Sequence, residues 1–383
     1  RAVAKHIASF RKPEDGIVIV ASAMGGTTDE LISLAKEVGE EVPKREMDAL
    51  LATGEQKTVA LLAIALHNLD IPAVSMTGFQ SGFITTDHHS KARIKEINTE
   101  RTEQFLKEGK VVVLAGFQGI SEEGDITTLG RGGSDTTAVA IAAQLGWDCE
   151  IYTDVDAIFT TDPKINPNAK KLNGITYEEL MELSSTGAAI LETRSVELAK
   201  KYNVKLFIGK SLESDKRKGT YVMNDSIYIE EMPVTGISIS DDCSIYSLRG
   251  MENDGVAVAK LFQLLADLHI NVDMISKQAY GDDKCTISFS CTDEQSRDLD
   301  GAIENHEILS EIAVEKQPNL SIISLVGVGM ATATGVASKV FSILAKEGIM
   351  YYQITTSEIS ISVTVNRDDK IKAVIALCEA FGL

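Results

Sequence analysis

Positive charge is scarce in this sequence. Its 37 Lys and Arg residues are outnumbered by 56 Asp and Glu, which gives a formal net charge of −19 at pH 7. Proteins that bind nucleic acids or anionic membranes rely on clustered Lys and Arg, so neither partner is expected. Any anionic substrate therefore has to be held by positive charge at one local site.

Long hydrophobic runs, paired cysteines and grouped histidines are also lacking. Apolar runs such as residues 111–117 are far too short to span a membrane, and the start shows no basic-then-apolar leader. The 5 cysteines are scattered and odd in number, which is typical of reduced thiols, and the 6 histidines show no metal-ligand spacing. The sequence therefore predicts a cytoplasmic protein. We assign no metal-ligating role to any of its side chains.

What is present is enough for two or three folded domains, because 44% of the 383 residues are hydrophobic. Up to about residue 225, short apolar strands alternate with amphipathic helices, which predicts a mainly parallel sheet covered by helices on both faces. Ligands of such a sheet lie at the carboxyl ends of its strands. The predicted strands are residues 16–21, 72–76, 110–115, 150–154 and 204–208.

Beyond this part the sequence contains an internal repeat. Residues 258–270 match residues 337–349 without a gap. Each copy lies between predicted strands and cannot bury both faces of its sheet alone, so it should pair with the other copy or with a second chain. The predicted strands are residues 243–249, 272–276 and 285–291 around the first copy, and 321–327, 351–355 and 358–365 around the second.

The most informative segment is rich in glycine and opens a helix. Residues 128–135 read Thr-Leu-Gly-Arg-Gly-Gly-Ser-Asp and are followed by a helical run to residue 145. Unpaired N–H groups and the positive end of the helix dipole favour an anion at such a position. The guanidinium of Arg131 can bind a carboxylate through two hydrogen bonds, so a small acidic ligand is predicted.

A second segment indicates phosphate chemistry. Residues 149–159 form an apolar strand that runs out into Asp154 and Asp156. Carboxylates beside an anion site commonly hold Mg²⁺ during phosphoryl transfer, which suggests a nucleotide-dependent phosphotransferase. Neither segment has the Walker pattern or the G-x-G-x-x-G of dinucleotide folds, so a different phosphate-binding fold is needed.

With further motifs, these residues resemble the aspartokinases of the amino-acid kinase family. The shared motifs follow the family's order along nearly the whole chain, at residues 22–30, 53–55, 115–119, 128–135 and 355–359. The resemblance implies an α/β fold with an amino-acid-kinase-type, mainly parallel sheet sandwiched by helices, followed by two ferredoxin-like βαββαβ (ACT) regulatory domains. The implied domains are residues 1–228, 229–318 and 319–383, with residues 229–242 able to pair with the last domain.

The resemblance implies an aspartate kinase that converts ATP and L-aspartate to ADP and 4-phospho-L-aspartate. Its expected cofactors are ATP and Mg²⁺, with the metal carried by ATP. In the family this is the first step towards lysine, threonine and methionine, under feedback inhibition by lysine, threonine or both. A homodimer or larger homo-oligomer through the ACT domains is expected, without a fused homoserine dehydrogenase.

The same resemblance assigns an aspartate site. The expected catalytic residues are Arg131 and Asp135, and the expected substrate-binding residues are Thr27, Glu55, Arg131, Gly132 and Ser134. Local patterns allow structural roles as well. Thr27-x-x-Glu30 is a capping box, Asp135 can cap its helix, and Glu55, at the predicted join of two helical stretches, is of a type that usually lies on the surface. Both kinds of role stay open.

The resemblance also implies an ATP site. Its residues are Thr153, Asp154, Phe159, Asp162 and Lys164. This segment departs from the commoner family wording: Ala157 stands for Gly, Phe159 for Tyr, Lys164 for Arg, and Ala189 for the Lys of several relatives. Phe keeps a stacking face without the hydroxyl, and Lys offers a point charge instead of a planar fork. Phosphate binding should therefore depend more on other groups.

The two sensor domains carry the expected effector site. Helix-mouth N–H groups and nearby carboxylates suit an amino-acid zwitterion. The first loop, residues 253–255, reads Asn-Asp-Gly where many sensors have Pro-Gly, so only one kind of site should bind effector. The expected effector residues are Asn253, Asp254, Asn271, Asp273, Met330, Val336, Thr355, Ser357 and Glu358.

One family motif is absent from these residues. Aspartokinases start with a strand and a Lys-Phe/Tyr-Gly-Gly loop whose lysine stabilises the transferring phosphoryl group. If the protein lacks that loop, we expect a non-catalytic amino-acid-sensing regulatory subunit or an inactive fragment. If a preceding segment supplies the loop, we expect an active enzyme. A kinase acting on glutamate or a nucleotide is a third alternative, which the paired sensors disfavour.

Overall fold

Two structural units make up the chain in the computed structural model, which describes residues 1–12, 14–39, 41–188, 190–224, 232–280, 283–305 and 312–383. Unit 1 contains Arg1–Ile158, Lys171–Met181 and Ala189–Ile227. Unit 2 contains Phe159–Lys170, Glu182–Ala188 and Tyr228–Leu383. The domain boundaries after residues 228 and 318 stay predictions, and Ala189 lies outside the described residues.

Helices and strands alternate along unit 1, as its sequence predicts. The helices are α1 Ala2–Phe10, α2 Thr27–Val38, α3 Lys44–His67, α4 Glu100–Lys107, α5 Gly133–Leu145, α6 Tyr177–Ser185 and α7 Thr193–Tyr202, and residues 182–185 of α6 are assigned to unit 2. The strands are β1 Val18–Ala21, β2 Ala73–Met76, β3 Phe83–Thr85, β4 Ile94–Ile97, β5 Val111–Ala115, β6 Gln118–Ser121, β7 Ile126–Thr128, β8 Cys149–Thr153, β9 Gly174–Thr176, β10 Leu206–Lys210 and β11 Thr220–Met223. A short 3₁₀ helix covers Lys216–Lys218.

The central strand β5 shows why helices cover both faces of its sheet. It lies between β1 and β2 and runs parallel to both. Val111, Val113 and Ala115 pack into a core with α1 and α3, whereas Val112 and Leu114 pack into another with α4 and α5. Alternate side chains of a strand point to opposite faces, so a parallel strand covered on both faces is apolar throughout.

Two further sheets complete unit 1, with strand orders β4-β3-β6-β7 and β8-β10-β11-β9. The pairs β3–β6, β8–β10 and β9–β11 are parallel, and the pairs β3–β4, β6–β7 and β10–β11 are antiparallel. The predicted α/β fold with mainly parallel sheets and helices is confirmed.

The helix α3 runs without a break for 24 residues. The predicted join of two helical stretches near Glu55 is therefore wrong. Among the described residues, α3 is the one helix that is long and apolar enough to cross a membrane by length and composition. In this structure it packs against α1, α2, β2, β5 and β7, as the core helix of a folded protein does.

Unit 2 is built on one antiparallel sheet with the order β13-β14-β12-β15-β17-β16. Its strands are β12 Gly236–Glu252, β13 Ile275–Tyr280, β14 Lys284–Cys291, β15 Ala313–Val326, β16 Tyr351–Thr356 and β17 Ser360–Asn366. Its helices are α8 Gly255–Asp267, α9 Asp293–Asn305, α10 Val336–Lys346 and α11 Lys370–Phe381, with 3₁₀ helices at Val328–Ala331 and Arg367–Asp369.

The internal repeat corresponds to two modules with separate cores. Leu261 and Leu265 of α8 lie in one core, and the matching Val340 and Leu344 of α10 lie in the other. Each module has the βαββαβ content of a ferredoxin-like domain, which confirms the prediction. The modules share their central strands, because Gly236–Ser240 of β12 pairs with the end of β15 beside β17, and the rest of β12 pairs with β14 and the start of β15.

One predicted strand is misplaced. The strand expected at residues 272–276 lies at Ile275–Tyr280 instead, and all six of its residues are exposed. Residues 271–273 form an irregular segment in which the N–H of Asp273 donates to the carbonyl of Ser290. Buried and exposed side chains do not alternate along this strand, so its sequence did not indicate where the strand begins.

Candidate functional site

A glycine-rich loop of unit 1 joins β7 to α5. Gly130 and Gly132 have φ angles of 84° and 63°, in the left-handed region that favours glycine. Both positions also require glycine because other residues lie too close for a side chain. A Cβ atom on Gly132 would lie 2.3 Å from the Cβ of Glu192, and one on Gly130 would lie 3.0 Å from the carbonyl oxygen of Ser90. The loop is thus packed against two distant segments of the chain.

Two polar side chains of this loop were expected to bind substrate. Arg131 is exposed and has no hydrogen-bond or ion-pair partner in the part of the chain that the structure describes. Ser134 lies against Gly116, where a Cβ atom would come within 2.7 Å of the Ser134 Oγ. Because Gly116 directly follows β5, Ser134 lies at the carboxyl end of that strand, where ligands of parallel sheets bind.

Asp135 lies inside the first turn of α5 rather than at its cap. The N-cap residue is Gly132, and no side chain caps the helix, so the alternative capping role is wrong. Burial, and secondarily the negative charge of Glu192, raise the pKa of Asp135 to about 6. Its charge therefore changes close to neutral pH.

Thr27 is the first residue of α2, and it is 9% exposed. The N-cap is Gly26, and no side chain caps this helix, so the capping box predicted for Thr27 and Glu30 does not form. The side chain of Thr27 instead lies beside α3, 3.5 Å from where a Cβ on Gly54 would stand. Thr27 thus packs against α3 at Gly54, the residue before Glu55.

Glu55 is buried within α3 and only 4% exposed, which contradicts the expectation of a surface charge. Its Oε1 accepts a hydrogen bond of 3.0 Å from the N–H of Ala23, in the motif before α2. Its Oε2 is buried without a hydrogen-bond partner among the described residues. Burial raises the pKa of Glu55, although the hydrogen bond from Ala23 opposes this shift.

Three charged residues near this loop were missed by the sequence reasoning. Asp48 of α3 is fully buried and accepts hydrogen bonds from the backbone of Ser90 and Thr128. Arg194 of α7 donates to two carbonyls, and Glu192 lies against Gly132. The one signal in the sequence was Asp48 itself, a carboxylate two helical turns from Glu55 on the same face of an apolar helix.

The residues expected to bind ATP fall in both units. Thr153 ends β8 in unit 1, and its Oγ1 donates to Oδ1 of Asp154 over 3.0 Å. Phe159, Asp162 and Lys164 belong to unit 2. There, the Oδ1 of Asp162 accepts from the N–H of Lys164 over 2.8 Å. Both Asp162 and Lys164 are exposed.

A cavity of about 570 Å³ lies within unit 2. It brings together four of the expected effector residues, Asn271, Asp273, Thr355 and Ser357. Glu182 and Asp242 add carboxylates, and the described lining residues include hydroxyl groups but no Lys or Arg. The other lining residues are Ser185, Thr186, Ser240, Cys243, Met274, Ser290, Cys291, Thr292, Gln295, Ile322, Ser324, Thr356, Ser360 and Ser362.

The remaining expected effector residues do not line this cavity. Asp254 caps α8, because its Oδ1 accepts from the N–H of Ala257 over 2.6 Å, and the N–H of Asn253 donates to the carbonyl of Asp283. Val336 and Met330 pack in or against the core under α10 and α11. Glu358 is exposed.

Comparison with known protein families gives two matches. The amino acid kinase family matches residues 1–210, and the ACT domain matches residues 323–381. The first match covers most of unit 1, and the second covers most of the module that contains α10 and α11.

Curated proteins match over all or nearly all of the chain. An aspartokinase of Bacillus sp. (strain MGA3) is 43% identical over 383 residues, which is 100% of this chain and 93% of that protein. Aspartokinase 2 of Bacillus subtilis is 44% identical, over 96% of this chain and 90% of that protein. An aspartate kinase of Pseudomonas putida is 41% identical, over 100% and 93%.

Solved structures share the fold. Aspartokinase III of E. coli, in complex with aspartate and ADP, superposes with a TM-score of 0.81 at 22% identity, covering 100% of this chain and 96% of that one. Aspartate kinase from Synechocystis is 36% identical with a TM-score of 0.53, covering 100% of this chain and 66% of that one.

Proposed function

Because this chain belongs to the aspartokinase family and is an aspartate kinase (EC 2.7.2.4), we propose that unit 1 binds L-aspartate between α3 and the glycine-rich loop. One observation carries the proposal. The Oε2 of Glu55 is buried and has no partner among the described residues, and a buried carboxylate oxygen is costly to leave unpaired. The ammonium group of aspartate would supply the missing partner.

The loop offers the complementary positive charge. The exposed guanidinium of Arg131 can bind the α-carboxylate of aspartate through two parallel hydrogen bonds. The backbone at Gly132 and the hydroxyl of Ser134 add uncharged donors at the start of α5, where the helix dipole favours an anion. Thr27, packed against α3 at Gly54, the residue before Glu55, is proposed to close the site on the α2 side. In an acidic protein, one such arginine supplies the local positive charge.

The reaction needs positioning more than acid–base chemistry. The β-carboxylate of aspartate is ionised at neutral pH, so it can attack the γ-phosphorus without losing a proton to the enzyme. A bond forms between its oxygen and phosphorus, the bond from phosphorus to the β,γ-bridging oxygen breaks, and ADP leaves. Glu55 and Arg131 hold the two ends of the amino acid, so that the attacking oxygen is in line. Asp135 orients the reacting groups in its ionised form.

The nucleotide is proposed to bind through Thr153, Asp154, Phe159, Asp162 and Lys164, as in the family. Mg²⁺ bound to the phosphates would neutralise charge that develops during transfer. The described residues contain no group of three or more His, Cys, Asp or Glu side chains that could hold a metal. Mg²⁺ usually keeps several waters and few protein ligands, so it is proposed to arrive with ATP.

The test of the aspartate site is kinetic. We expect Arg131→Ala to raise the KM for aspartate at least about 10-fold, because hydrogen bonds to charged groups contribute roughly 1.5–3 kcal/mol, and to leave the KM for ATP nearly unchanged. Glu55→Gln should act in the same direction. Arg101→Ala, at an exposed arginine of α4, is the control. An unchanged KM for aspartate in Arg131→Ala and Glu55→Gln would place the substrate elsewhere.

The cavity of unit 2 is proposed to bind a feedback effector. Its carboxylates Glu182, Asp242 and Asp273 have no Lys or Arg beside them among the lining residues that the structure describes, so the site favours a cationic amino acid. Of the two expected effectors, lysine fits this charge better than threonine, and calorimetric titration with each would compare them. The enzyme is proposed to catalyse the first step towards lysine, threonine and methionine in the cytoplasm, which metabolite labelling and cell fractionation would test.

The sheet of unit 2 is the proposed oligomer contact. Its edge strands β13 and β16 expose apolar side chains, among them Ile275 (53% exposed) and Ile354 (42% exposed). Edge strands with unpaired backbone groups readily pair with another chain. A homodimer through these edges is expected, and light scattering on the purified protein would measure its mass.

A further inference from the structure

Two backbone segments beside the glycine-rich loop are bound to each other. Residues 88–92 follow β3, and residues 128–130 connect β7 to the loop. The N–H of Ala92 donates to the carbonyl of Thr128 over 2.9 Å. Gly130 packs so close to Ser90 that a Cβ would lie 3.0 Å from the Ser90 carbonyl oxygen. These two segments are called the paired segments below.

One buried carboxylate binds the N–H groups of both segments. Asp48 has no exposed surface. Its Oδ2 accepts from the N–H of Ser90 over 2.9 Å and from the N–H of Thr128 over 3.0 Å. Its Oδ1 accepts from the Thr128 hydroxyl over 2.6 Å, and the Nδ1 of His89 lies 3.1 Å from Oδ2. Asp48 thus ties α3 to two parts of the chain that are distant in sequence.

One guanidinium binds the carbonyls of the same segments. The Nη1 of Arg194 donates to the carbonyl of Ala92 over 3.0 Å and to that of Leu129 over 3.2 Å. Burial lowers the pKa of Arg194 from its ordinary value. The paired segments therefore present N–H groups to an anion on α3 and carbonyls to a cation on α7.

From this arrangement we propose that Asp48 and Arg194 are positioning residues for aspartate. Arg131 follows Leu129 by two residues, so the paired segments fix where its loop leaves β7. Glu55 lies seven residues after Asp48 on the same face of α3. Asp48 therefore connects the helix that carries Glu55 to the end of β7, from which the loop with Arg131 leaves. The inference rests on the proposed aspartate site and extends it to residues that do not touch the substrate.

The contacts explain why the charges are needed. In Asp48→Asn, the donors of Ser90 and Thr128 would face an NH₂ group or a neutral oxygen instead of a carboxylate. At least one of these buried donors would then lack a good acceptor. The strand end would shift, and Arg131 would shift with it. A displacement of Arg131 by a fraction of an ångström weakens the binding of aspartate, which Arg131 and Glu55 hold, more than it weakens the binding of ATP.

The experiment compares Asp48→Asn with Asp125→Asn. Asp125 also joins this region to α3, through an ion pair of 2.7 Å with Arg45, but that pair is partly exposed, and exposed pairs contribute little. We expect Asp48→Asn to raise the KM for aspartate about 10-fold, as one lost charged hydrogen bond would, with the KM for ATP within about twofold. Arg194→Gln should act in the same direction, and Asp125→Asn should leave both constants unchanged.

The outcomes separate this inference from the proposed site. If Arg131→Ala raises the KM for aspartate and Asp48→Asn does not, the positioning role is wrong and the site stands. If neither does, the site itself is wrong. Should Asp48→Asn fail to fold, Thr128→Val removes only the hydroxyl that donates to Asp48 and must raise the KM for aspartate without lowering Tm below the assay temperature. Equal changes in both KM values in Thr128→Val and Arg194→Gln would indicate a purely structural role.

Discussion

Protonation of Asp135 sets the first prediction at the residue scale. Its pKa lies at about 6 because of burial and the charge of Glu192, and the proposed role needs the ionised form. We expect kcat to fall as the pH drops through about 6. Glu192→Gln removes the neighbouring charge, so the acid limb should move to lower pH. Glu197→Gln, at an exposed residue of α7, should not move it.

The same group links stability to pH. The pKa of Asp135 rises from 3.8 to about 6 on folding, so the folded state binds more protons than the unfolded state between these values. Stability from this group is therefore present below 3.8 and is lost as the pH rises through about 6. Asp135→Asn should raise the free energy of unfolding at pH 7–8 by at most about 3 kcal/mol, with little gain near pH 4.

Urea unfolding at the two pH values measures this effect. A gain that is equal at both would show that packing, not ionisation, explains the variant. A kcat profile in which Glu192→Gln keeps the wild-type acid limb would show that another group titrates.

Some residue roles could be predicted from the sequence, and others could not. The motifs brought together Thr27, Glu55, Ser134 and Asp135 as candidates, and the structure places all four in unit 1. Capping was predicted for Thr27 and Asp135 because Thr and Asp are good caps, but glycine takes both cap positions. The burial of Glu55 and Asp48 depends on contacts with segments far along the chain, which no local pattern contains.

At the element scale, the packing of α3 gives a prediction. Ala is favoured over Gly inside a helix by about 1 kcal/mol. Gly301→Ala in α9 should increase the free energy of unfolding by this amount, since an added Cβ meets no described atom within 4 Å. At Gly54 the added Cβ would lie 3.0 Å from the Cβ of Ala23, whose N–H donates to Glu55. Gly54→Ala should therefore increase the free energy of unfolding by less than Gly301→Ala does, or decrease it, and it should raise the KM for aspartate.

Urea unfolding and aspartate titration of both variants check this. If Gly54→Ala gained as much stability as Gly301→Ala and kept its KM, then α3 and the segment before α2 would not be in the tight contact described here.

Elements differed in how well their patterns predicted them. The strand β5 is apolar throughout because helices cover both faces of its sheet, so it was found within one residue. The strand β10 was displaced by two residues at each end. The strand β13 is exposed at every residue, so nothing in its sequence marked the correct start. The lengths of β12 and β15 come from their pairing with each other, which is a long-range property.

At the scale of the whole molecule, the prediction concerns the effector. If lysine binds the cavity of unit 2 and inhibits the enzyme, Asp273→Asn and Glu182→Gln should raise the lysine concentration for half-inhibition about 10-fold, as the loss of a charged hydrogen bond would. The uninhibited kcat should not change, because neither residue belongs to the proposed aspartate site. Asp298→Asn, at an exposed residue of α9 outside the cavity lining, is the control.

Inhibition assays with lysine and with threonine decide the case. Inhibition by threonine alone, or lysine inhibition that is unaltered in both variants, would contradict a cationic effector in this cavity.

The internal repeat and the alternation of strands and helices were the most predictable properties at this scale, because both are visible in the sequence without knowledge of contacts. Matching positions of the repeat, such as Leu261 and Val340, occupy equivalent places in two cores. The assignment of residues 159–170 and 182–188 to unit 2 had no such signal, since both segments lie inside the family's catalytic region by sequence.

The shared strand β12 has a consequence for how the protein is made. Gly236–Ser240 pairs with Ile322–Val326 of β15, which the ribosome adds about 80 residues later. At roughly 5–20 residues per second, this segment waits several seconds for its neighbour during synthesis. Until then it is an open edge on which another nascent chain could align. The second module can close only after its last strand and helix, which end at Asn366 and Phe381, have been translated, so its assembly is slow by topology alone.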